Sequence, residues 1–387
     1  MGLRGKYAIV GVGYTPQGRL PDRTTFSFHL EAVANAIADA GLKKDAIDGL
    51  IAYRHFPACP GEPDVTPQLI AQGLGLTPDY LCQDANCSRS HLQQAIGAIE
   101  AGFCNYVAIS YGHSGLSGGG MNLLLEEMAG NEVVFGHFGA AGGYALAARR
   151  GMHEFSAGPE TWKHIAMGQR KWADRNPAAI MRGKPMTEAD YYGAPMVVDP
   201  LRLFDCCLVN DGGRAIIVTT AERARDLKQP PVLILGLGQH NPSTEIGQSR
   251  YMAGPTGSKK AGEAALRMAG VGLADVDACQ IYDCFSYTVE LTLQDYGFFG
   301  RGEGKDWFQG GTIEPGGRLP INTSGGQLSE AYFMGLTPIS EAVMQLMGRC
   351  EDRQLGPKTN TKTPEIIMCS DNGAILQSQS CFIFGRG

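Results

Sequence analysis

The amino-acid sequence predicts an α/β fold made of two similar halves. Continuous apolar runs such as AIVGVG (8–13), VAISYG (107–112) and AIIVTT (215–220) are typical of strands covered by helices on both faces. A second observation is that one pattern of residues occurs twice, about 229 residues apart. Repetition at this distance indicates a duplicated α/β unit and not a solenoid.

The repeat can be followed along the chain. The first apolar strand and its glycine-containing end, KYAIVGVGYTP (6–16), correspond to PVLILGLGQHNP (231–242). Each half then has a helix that stops at an Ala-Gly pair, with an Asp seven and a Tyr twelve residues after that glycine. The matching positions are Gly41, Asp48 and Tyr53 in one half, and Gly270, Asp277 and Tyr282 in the other. We therefore expect a helix, a short turn and a buried strand in the same order twice.

The two halves are expected to occupy residues 1–225 and 226–387. The boundary is placed where a helix gives way to the Pro-containing link KQPP (228–231). Between about 113 and 200 the first half carries extra sequence, beginning with the Gly-rich HSGLSGGGMN, that has no counterpart in the second half. We expect an inserted helical and loop region over the sheet.

Composition excludes several classes of protein. The 387-residue chain is 43% hydrophobic and 19% charged, which is typical of a globular protein, and its net charge of −6 gives no reason to expect nucleic acid. No apolar run is long enough to span a bilayer, and the N-terminus leads directly into a strand without a signal-peptide core. The protein is therefore expected to be cytoplasmic and not to bind membranes.

Two cofactor sites are not expected. The 11 cysteines are scattered without a C-x-x-C pair or a Cys/His grouping, so we expect no metal in this chain. Gly11 and Gly13 resemble the start of a dinucleotide fingerprint, but Pro16 stands in the place of the third glycine. We therefore expect no nicotinamide site.

The first candidate reactive element is QDANCSRSHLQQAIGAIEAG (83–102). Its apolar residues recur at helical spacing, and Gly102 is a natural stop, which places Cys87 at the N-terminus of a helix. Free N–H groups and the helix dipole favour a thiolate there, so Cys87 is a candidate nucleophile. A buried cysteine at a strand–helix junction is the alternative interpretation.

The second candidate element combines IYDCFSYTVE (281–290) with INTSGGQLSEAYFMG (321–335). Tyr282 follows a predicted strand, and Tyr332 comes 50 residues later, after a Gly-Gly turn. Two phenols that converge on one oxygen could polarise a ketone or take a proton from a hydroxyl. Ordinary packed aromatic side chains are the alternative.

These residues occur in motifs that together resemble the thiolase superfamily. The similarity extends over almost the whole chain, and it is closest to the sterol-carrier-protein-type thiolases and the related lipid-transfer-protein-like enzymes. It implies the five-layered αβαβα thiolase fold with an inserted loop and helical region, a homodimer and acyl-CoA substrates. The motifs are NCSRS (86–90), FGHFGAAGGYALAARRG (135–151), ADRNPAAIMR (173–182), YDCFSYTVELTLQDYGFFGRGEG (282–304) and INTSGGQLSEAY (321–332).

The resemblance also implies roles for individual residues. Cys87 matches the family's nucleophile, and Cys369 matches its acid–base cysteine. Tyr332 takes the place of the catalytic histidine, and Tyr282 that of an Asn or His, as in aldolase members of the branch that work with a small zinc-ribbon and OB-fold subunit. A similar two-subunit arrangement occurs in benzoylsuccinyl-CoA thiolase. The Asn-x-x-Gly-Gly turn, expected to bind substrate, matches Asn322, Gly325 and Gly326.

Three hypotheses for function remain open, and the first of them, thiolase-type acyl transfer, is the one that the sequence favours. In the first, Cys87 attacks a 3-oxoacyl-CoA and free CoA removes the acyl group, with His55 or His137 as possible bases. In the second, the two tyrosines cleave a 3-hydroxyacyl-CoA by a retro-aldol reaction without an acyl-enzyme. In the third, the chain is a non-catalytic acyl-CoA or lipid carrier.

Binding of coenzyme A leaves little trace in the sequence. The inserted region is rich in basic residues, among them Arg182 and Lys184, which could contact phosphate groups or could form a solvated charged face. Coenzyme A is expected as a substrate and not as a resident cofactor, and zinc only in a partner subunit.

Overall fold

The computed structural model describes residues 2–54, 62, 64–84, 87–119, 134, 139–242, 252–373 and 375–387, with the backbone alone at 84 and 87–90. The strands are β1 (Tyr7–Tyr14), β2 (Gly49–Tyr53), β3 (Tyr80–Asp84), β4 (Val107–Ser114), β5 (Met196–Val198), β6 (Leu201–Arg202), β7 (Asp211–Thr220), β8 (Val232–His240), β9 (Ala278–Gln280), β10 (Ile366–Gly373) and β11 (Ser378–Arg386). The helices of the first half are α1 (Thr25–Ala40), α2 (Pro67–Leu74), α3 (Cys87–Glu100), α4 (Gly139–Phe155), α5 (Pro159–Asp174), α6 (Glu188–Gly193) and α7 (Ala221–Ala224). Those of the second half are α8 (Gly257–Ala269), α9 (Ser286–Tyr296), α10 (Gly304–Phe308), α11 (Gly326–Ser329) and α12 (Leu336–Leu346).

The main strands form one continuous mixed sheet. Its order is β3-β2-β4-β7-β1-β8-β11-β10-β9, so strands of the first half occupy one side and those of the second half the other. The two sides meet where β1 pairs antiparallel with β8, from Tyr7 opposite Ile234 to Ile9 opposite Val232. The expected strand runs all lie in this sheet.

The sheet folds back on itself around two central helices. Helix α3 contacts β3 at one end of the strand order and β10 near the other, and α12 contacts strands of both halves. One hydrophobic core joins Ile51 of the first half, Val343 of α12 and Phe382 of the second half. Helix α1 covers the outer face of the first half and α8 that of the second. The five-layered αβαβα arrangement is therefore confirmed.

The internal repeat has a direct structural basis. Helices α1 and α8 each begin after a threonine cap and end at a left-handed glycine, Gly41 and Gly270. Asp48 then accepts hydrogen bonds from the backbone N–H groups that lead into β4. Asp277 does the same for the residues at the start of β10. The repeated Asp thus ties each short crossover to the next strand of its sheet.

The glycines of the first strand in each half allow a helix to approach closely. A Cβ added to Gly13 would overlap the carbonyl oxygen of Ala32 in α1, and one added to Gly238 would overlap that of Ala261 in α8. These glycines are required for packing, which accounts for a G-x-G pattern without a nucleotide fingerprint.

Substituting Gly13 or Gly238 with Ala should therefore destabilise the fold by several kcal/mol, because the overlap is with helix backbone that cannot rotate away. Urea unfolding would measure the free energy of unfolding. Gly97→Ala is the matched control, since a Cβ at this position of α3 meets nothing within 4 Å. It should be neutral or stabilise by up to about 1 kcal/mol. Equal midpoints for Gly13→Ala and Gly97→Ala would contradict the packing explanation.

The region between 113 and 200 contains three helices, α4, α5 and α6, in its described part. Helix α5 packs against α9, α10 and α11 of the second half and so covers the segment that leads to Tyr332. In the part of the chain that the structure describes, no helix has the length and apolarity needed to cross a membrane.

Candidate active site

Tyr282 and Tyr332 lie together at the end of the second-half sheet. Their hydroxyl oxygens are 3.0 Å apart, and their rings meet edge to face with centroids 6.4 Å apart. Tyr282 is only 5% exposed, whereas Tyr332 keeps part of its surface accessible. The two phenols therefore form one hydrogen-bonded pair with access from the side of Tyr332.

The position of Tyr282 is fixed by the sheet. The residue follows β9, which pairs in parallel with β10, and its backbone N–H donates to the hydroxyl of Ser370 in β10 at 2.9 Å. Sites in α/β proteins tend to form beyond the carboxyl ends of such parallel strands. The phenol is thus held at the edge where chemistry is expected.

Two residues hold Tyr332. Its backbone N–H donates to the side-chain oxygen of Asn210 at 2.7 Å, and the Asn210 amide donates back to the Tyr332 carbonyl at 3.4 Å. The Tyr332 hydroxyl donates to the sulfur of Met334 at 2.7 Å. Met334 has a left-handed backbone with φ of 51°, a strained conformation for a non-glycine residue. This turn directs the thioether back onto both phenols.

The Gly-Gly turn that precedes Tyr332 wraps around a buried carboxyl group. Asp283, the neighbour of Tyr282, accepts hydrogen bonds from the backbone N–H groups of Gln327 and Leu328 at 2.9 and 3.1 Å. A Cβ on Gly326 would overlap this carboxyl group, so only glycine fits there. The structure therefore places the turn as the link that fixes the two tyrosine-bearing segments relative to each other.

The expected substrate-binding residues of this turn all lie in the link. Asn322 accepts a hydrogen bond from the Ile281 backbone N–H at 2.7 Å, and a Cβ on Gly325 would come within 2.7 Å of Ala173 in α5. These contacts are structural ones. A role of Asn322, Gly325 and Gly326 in contacting substrate stays a prediction.

Burial dominates the electrostatics of the phenol pair. It raises the pKa of both hydroxyls well above their ordinary value near 10. The neighbouring Tyr332 raises the pKa of Tyr282 further, whereas the hydrogen bond from Tyr282 partly lowers the pKa of Tyr332. Of the two, Tyr332 is thus the phenol whose anion is supported by a donor.

Burial also raises the pKa of Asp283 to about 7, against the lowering effect of its backbone hydrogen bonds. The carboxyl group titrates near 3.9 in the unfolded chain, so between about pH 4 and pH 7 only the folded state holds the proton. The contribution of Asp283 to the free energy of unfolding therefore falls as the pH rises through this range. Asp283→Asn should remove that part of the slope. Urea unfolding at several pH values would measure it. Burial raises the pKa of Glu290 to about 7 as well, so a slope should remain in the variant.

The cysteine-centred candidates are only partly visible. Helix α3 begins at Cys87, in agreement with the predicted helix start, but the side chain of Cys87 lies outside the described residues. His55 and His137 also lie outside them. Their proposed roles stay predictions.

Cys369 lies on β10, opposite Gln280 in the strand that leads to Tyr282. It is fully buried in the core between the two halves, and its thiol lies 3.8 Å from the carbonyl oxygen of Pro338. Burial raises the pKa of this thiol well above its ordinary value, as do Cys381 and Cys279 to a smaller extent. Among the described residues, no hydrogen bond links Cys369 to either phenol, so its acid–base role stays a prediction.

The basic residues of the inserted region divide into two kinds. Arg182 and Lys184 are exposed in the loop after α5. Arg170 is buried, where it donates to the Ser329 hydroxyl and to the Lys184 carbonyl. Within the described ranges, no cluster of three or more His, Cys, Asp or Glu side chains could hold a metal ion.

Several residues of the site were not predicted from the sequence. Asn210 and Met334 hold Tyr332, and Tyr144 of α4 donates to the side-chain oxygen of Asn372 at 2.6 Å beside Cys284. Asn210, Tyr144 and Asn372 come from distant parts of the chain, whereas Met334 lies within the quoted segment 321–335 but matches no part of its motif. Asp283 was the one residue that could have indicated a partner for the Tyr282 segment. It directly follows a tyrosine that was expected to be near a buried site, and a buried Asp needs hydrogen-bond donors.

Comparisons with known proteins show which family the chain belongs to. A family model described as thiolase C-terminal domain-like matches residues 238–386. A 17-hydroxy-3-oxo-4-pregnene-20-carboxyl-CoA lyase of Mycobacterium tuberculosis is 35% identical over 89% of this chain and 92% of its own length. A steroid side-chain-cleaving aldolase of Thermomonospora curvata is 34% identical over 97% of this chain and 98% of its own.

The fold is matched as well. The solved structure of an Ltp2–ChsH2(DUF35) aldolase superposes with a TM-score of 0.87 and 30% identity, covering 100% of this chain and 99% of that one. The relatives are enzymes by name, and they match nearly the whole chain. The chain therefore belongs to the thiolase superfamily, in the branch that contains the sterol-carrier-protein-type thiolases and the steroid side-chain-cleaving aldolases.

Proposed function

We propose that the chain is a carbon–carbon lyase that cleaves a 3-hydroxyacyl-CoA by a retro-aldol reaction at Tyr282 and Tyr332. The observation that carries this proposal is the 3.0 Å hydrogen bond between the two buried hydroxyls. Such a pair can bind one substrate oxygen and exchange its proton. The aldolase and lyase names of the similar proteins support the same reaction class.

In the proposed reaction Tyr332, as its anion, takes the proton from the C3 hydroxyl of the substrate. The oxygen's electron pair forms the new C=O bond, the C2–C3 bond breaks, and its electron pair moves onto C2 as an enolate of the thioester. Tyr282 donates its one O–H hydrogen bond to the Tyr332 anion at first, and it turns to the C3 oxygen once Tyr332 holds the proton. The proton held by Tyr332 then goes to C2, so the products are a carbonyl compound and a shortened acyl-CoA. Positioned acid–base groups of this kind contribute about 10²–10⁴-fold in rate.

The acceptor that now faces the phenols supports the binding of a substrate oxygen at this place. In the structure the Tyr332 hydroxyl points at the Met334 sulfur, a weak acceptor, and the Tyr282 hydroxyl is 3.6 Å from the same sulfur. A substrate oxygen is a stronger acceptor than a thioether. Binding would therefore exchange the sulfur for the C3 oxygen without rearranging the phenols.

A second candidate function is thiolase-type acyl transfer from a 3-oxoacyl-CoA to CoA through Cys87. The observation that favours it is the start of α3 at Cys87, because free N–H groups and the helix dipole stabilise a thiolate there. In this case the phenols would hold the ketone oxygen, and an acyl-enzyme would form.

Intact-protein mass spectrometry separates the two functions. The protein, with any small subunit that co-purifies, is mixed with panels of 3-hydroxyacyl- and 3-oxoacyl-CoAs, and Cys87→Ser is run in parallel. We expect cleavage of a 3-hydroxyacyl-CoA at equal rates in both proteins and no acyl adduct. An acyl adduct that is absent from Cys87→Ser would instead establish the thiolase reaction.

We further propose that the chain works as a homodimer with a small zinc-ribbon and OB-fold subunit. The name of the similar Ltp2–ChsH2(DUF35) aldolase supports a partner. Coenzyme A enters as part of the substrate, and its phosphates would meet Arg182 and Lys184. Reversing both charges should raise KM for the acyl-CoA, and an unchanged KM would exclude this contact. Size-exclusion chromatography with light scattering would test the assembly.

A further inference from the structure

Two buried amide side chains lie next to each other on adjacent strands beside the phenols. Asn372 of β10 is directly opposite Gln379 of β11 in the antiparallel register, so their side chains share one face of the sheet. Asn372 is 4% exposed and Gln379 is 1% exposed. We call these two residues the amide pair.

Both amides of the pair have their oxygen occupied by a hydroxyl donor, whereas their N–H groups have no oxygen acceptor among the described residues. The Tyr144 hydroxyl donates to the Asn372 oxygen at 2.6 Å, and the Ser258 hydroxyl donates to the Gln379 oxygen at 2.9 Å. The NH₂ group of Gln379 has no hydrogen-bond partner among the described residues, and that of Asn372 has only the thiol of Cys284, whose pKa it lowers. A thiol is a weak acceptor, and buried donors without a strong acceptor are rare in folded proteins, so two neighbouring ones indicate an absent acceptor.

The amide pair lies on the face of the sheet that α8 covers, and the same face contacts the segment of Tyr282. Ser370, two residues before Asn372 and hence on the same face of β10, accepts the backbone N–H of Tyr282. Tyr144, which orients Asn372, packs its ring against Phe285 with centroids 4.7 Å apart, and Phe285 lies three residues after Tyr282. Tyr144 is also near enough to the Tyr282 phenol to raise its pKa, so the amide that Tyr144 orients belongs to the surroundings of the phenols.

Retro-aldol cleavage needs a second set of hydrogen-bond donors besides the two phenols. The phenols handle the C3 oxygen, whereas the negative charge that develops on breaking the C2–C3 bond moves to the thioester oxygen, two carbons away. Fixed donors aimed at that oxygen stabilise the enolate without reorganisation. Donors in a buried site act more strongly than donors in water.

We propose that Asn372, with Gln379 beside it, donates the hydrogen bonds that hold the thioester oxygen of the acyl-CoA as this oxygen becomes the enolate oxygen. This inference rests on the proposed function for its place in the reaction. The enolate itself can be tested without any cleavage, because its reversible formation exchanges the C2 hydrogens of a saturated acyl-CoA with solvent.

The test makes two measurements on Asn372→Asp and Asn372→Ser. One is the exchange of C2 hydrogens of acetyl-CoA and butyryl-CoA in D₂O, followed by mass spectrometry; the other is kcat and KM for cleavage. Asn372→Asp keeps the shape and the acceptor for Tyr144 but removes the N–H groups, and the smaller, neutral Asn372→Ser guards against misfolding. Asn35→Asp, the same change at an exposed position of α1, is the matched control. The wild-type protein is used with any subunit that co-purifies.

We expect both Asn372 variants to lose about 10²–10³-fold in C2 exchange and in kcat, with KM within threefold and Asn35→Asp unchanged. Gln379→Glu should lose exchange in the same direction. Exchange within threefold of the wild type in both Asn372 variants, or no exchange in the wild type, would overturn the inference. Exchange that depends on Asn372 in a protein that cleaves no 3-hydroxyacyl-CoA would support the amide pair and reject the aldol reaction.

Discussion

Tyr332→Phe should lower kcat for cleavage of a 3-hydroxyacyl-CoA by about 10³-fold, with the fold intact. The hydroxyl is the only part of the side chain removed, and it is the group that accepts the substrate proton in the proposed reaction. The backbone of Tyr332 would still be held by Asn210, so the phenyl ring should keep its place. Single-turnover kinetics would measure the chemical step.

Tyr282→Phe should have an effect of similar size. It removes the donor that supports the anion of Tyr332, and the two hydroxyls act as one unit at 3.0 Å. Effects within such a unit are not additive, so the double variant should lose little more than either single variant. Tyr287→Phe is the matched control, since this buried hydroxyl in α9 has no hydrogen-bond partner among the described residues. It should leave kcat unchanged.

The pH dependence follows from the same pair. The deprotonated phenol is the base, and burial raises the pKa of both hydroxyls well above 10. Only a small fraction is ionised near neutral pH, so kcat/KM should rise with pH across the neutral range without a plateau below about pH 9. A plateau reached near pH 7 would assign the proton transfer to another group. Rates of the Phe variants within tenfold of the wild type would lead to the same conclusion.

Much of the fold could be predicted because its determinants are local and repeated. The positions of Gly41 and Gly270 mark helix ends, and Asp48 and Asp277 mark the crossovers that follow. What the sequence did not indicate was the pairing of β1 with β8, which joins both halves into one sheet. Strand pairing between halves depends on the relative position of the two units, and no residue pattern encodes it.

In the candidate site, too, the local features could be predicted from the sequence and the contacts between distant residues could not. The convergence of Tyr282 and Tyr332 was expected from the repeat, the Gly-Gly turn and the family resemblance, and the structure brings their hydroxyls into contact. The partners of the pair are non-local: Asn210 is 122 residues from Tyr332. A buried amide such as Asn372 looks like any strand residue in the sequence, because only the tertiary structure shows which of its atoms lacks a strong partner.

The segment that carries Tyr332 is anchored by a buried ion pair. Arg214 of β7 and Glu330 are 0% and 1% exposed, and their side chains meet at 2.5 Å. Arg214 also donates to the Ser340 hydroxyl at 2.8 Å and stacks over the Phe333 ring at 4.7 Å. Glu330 and Phe333 flank Tyr332, so this arginine holds the chain on both sides of the phenol.

Arg214→Met should therefore lower the free energy of unfolding by about 3–5 kcal/mol, because it leaves the Glu330 carboxylate buried without its partner. Glu330→Gln should cost a similar amount for the converse reason. Arg150→Met, which breaks the exposed pair with Glu154 in α4, is the matched control and should cost less than about 1 kcal/mol.

The double variant Arg214→Met/Glu330→Leu decides what the ion pair is for. Replacing both charges by apolar groups removes the unpaired charge, so we expect it to recover most of the stability lost in Arg214→Met. Catalysis should not recover with it, because the stacking and hydrogen bonds that hold the segment of Tyr332 are lost with the guanidinium group. Denaturant unfolding and kcat measured on the wild type, Arg214→Met, Glu330→Gln and the double variant would test this. Recovery of both quantities would mean that the pair only stabilises the fold, whereas recovery of stability alone would show that it positions the phenol.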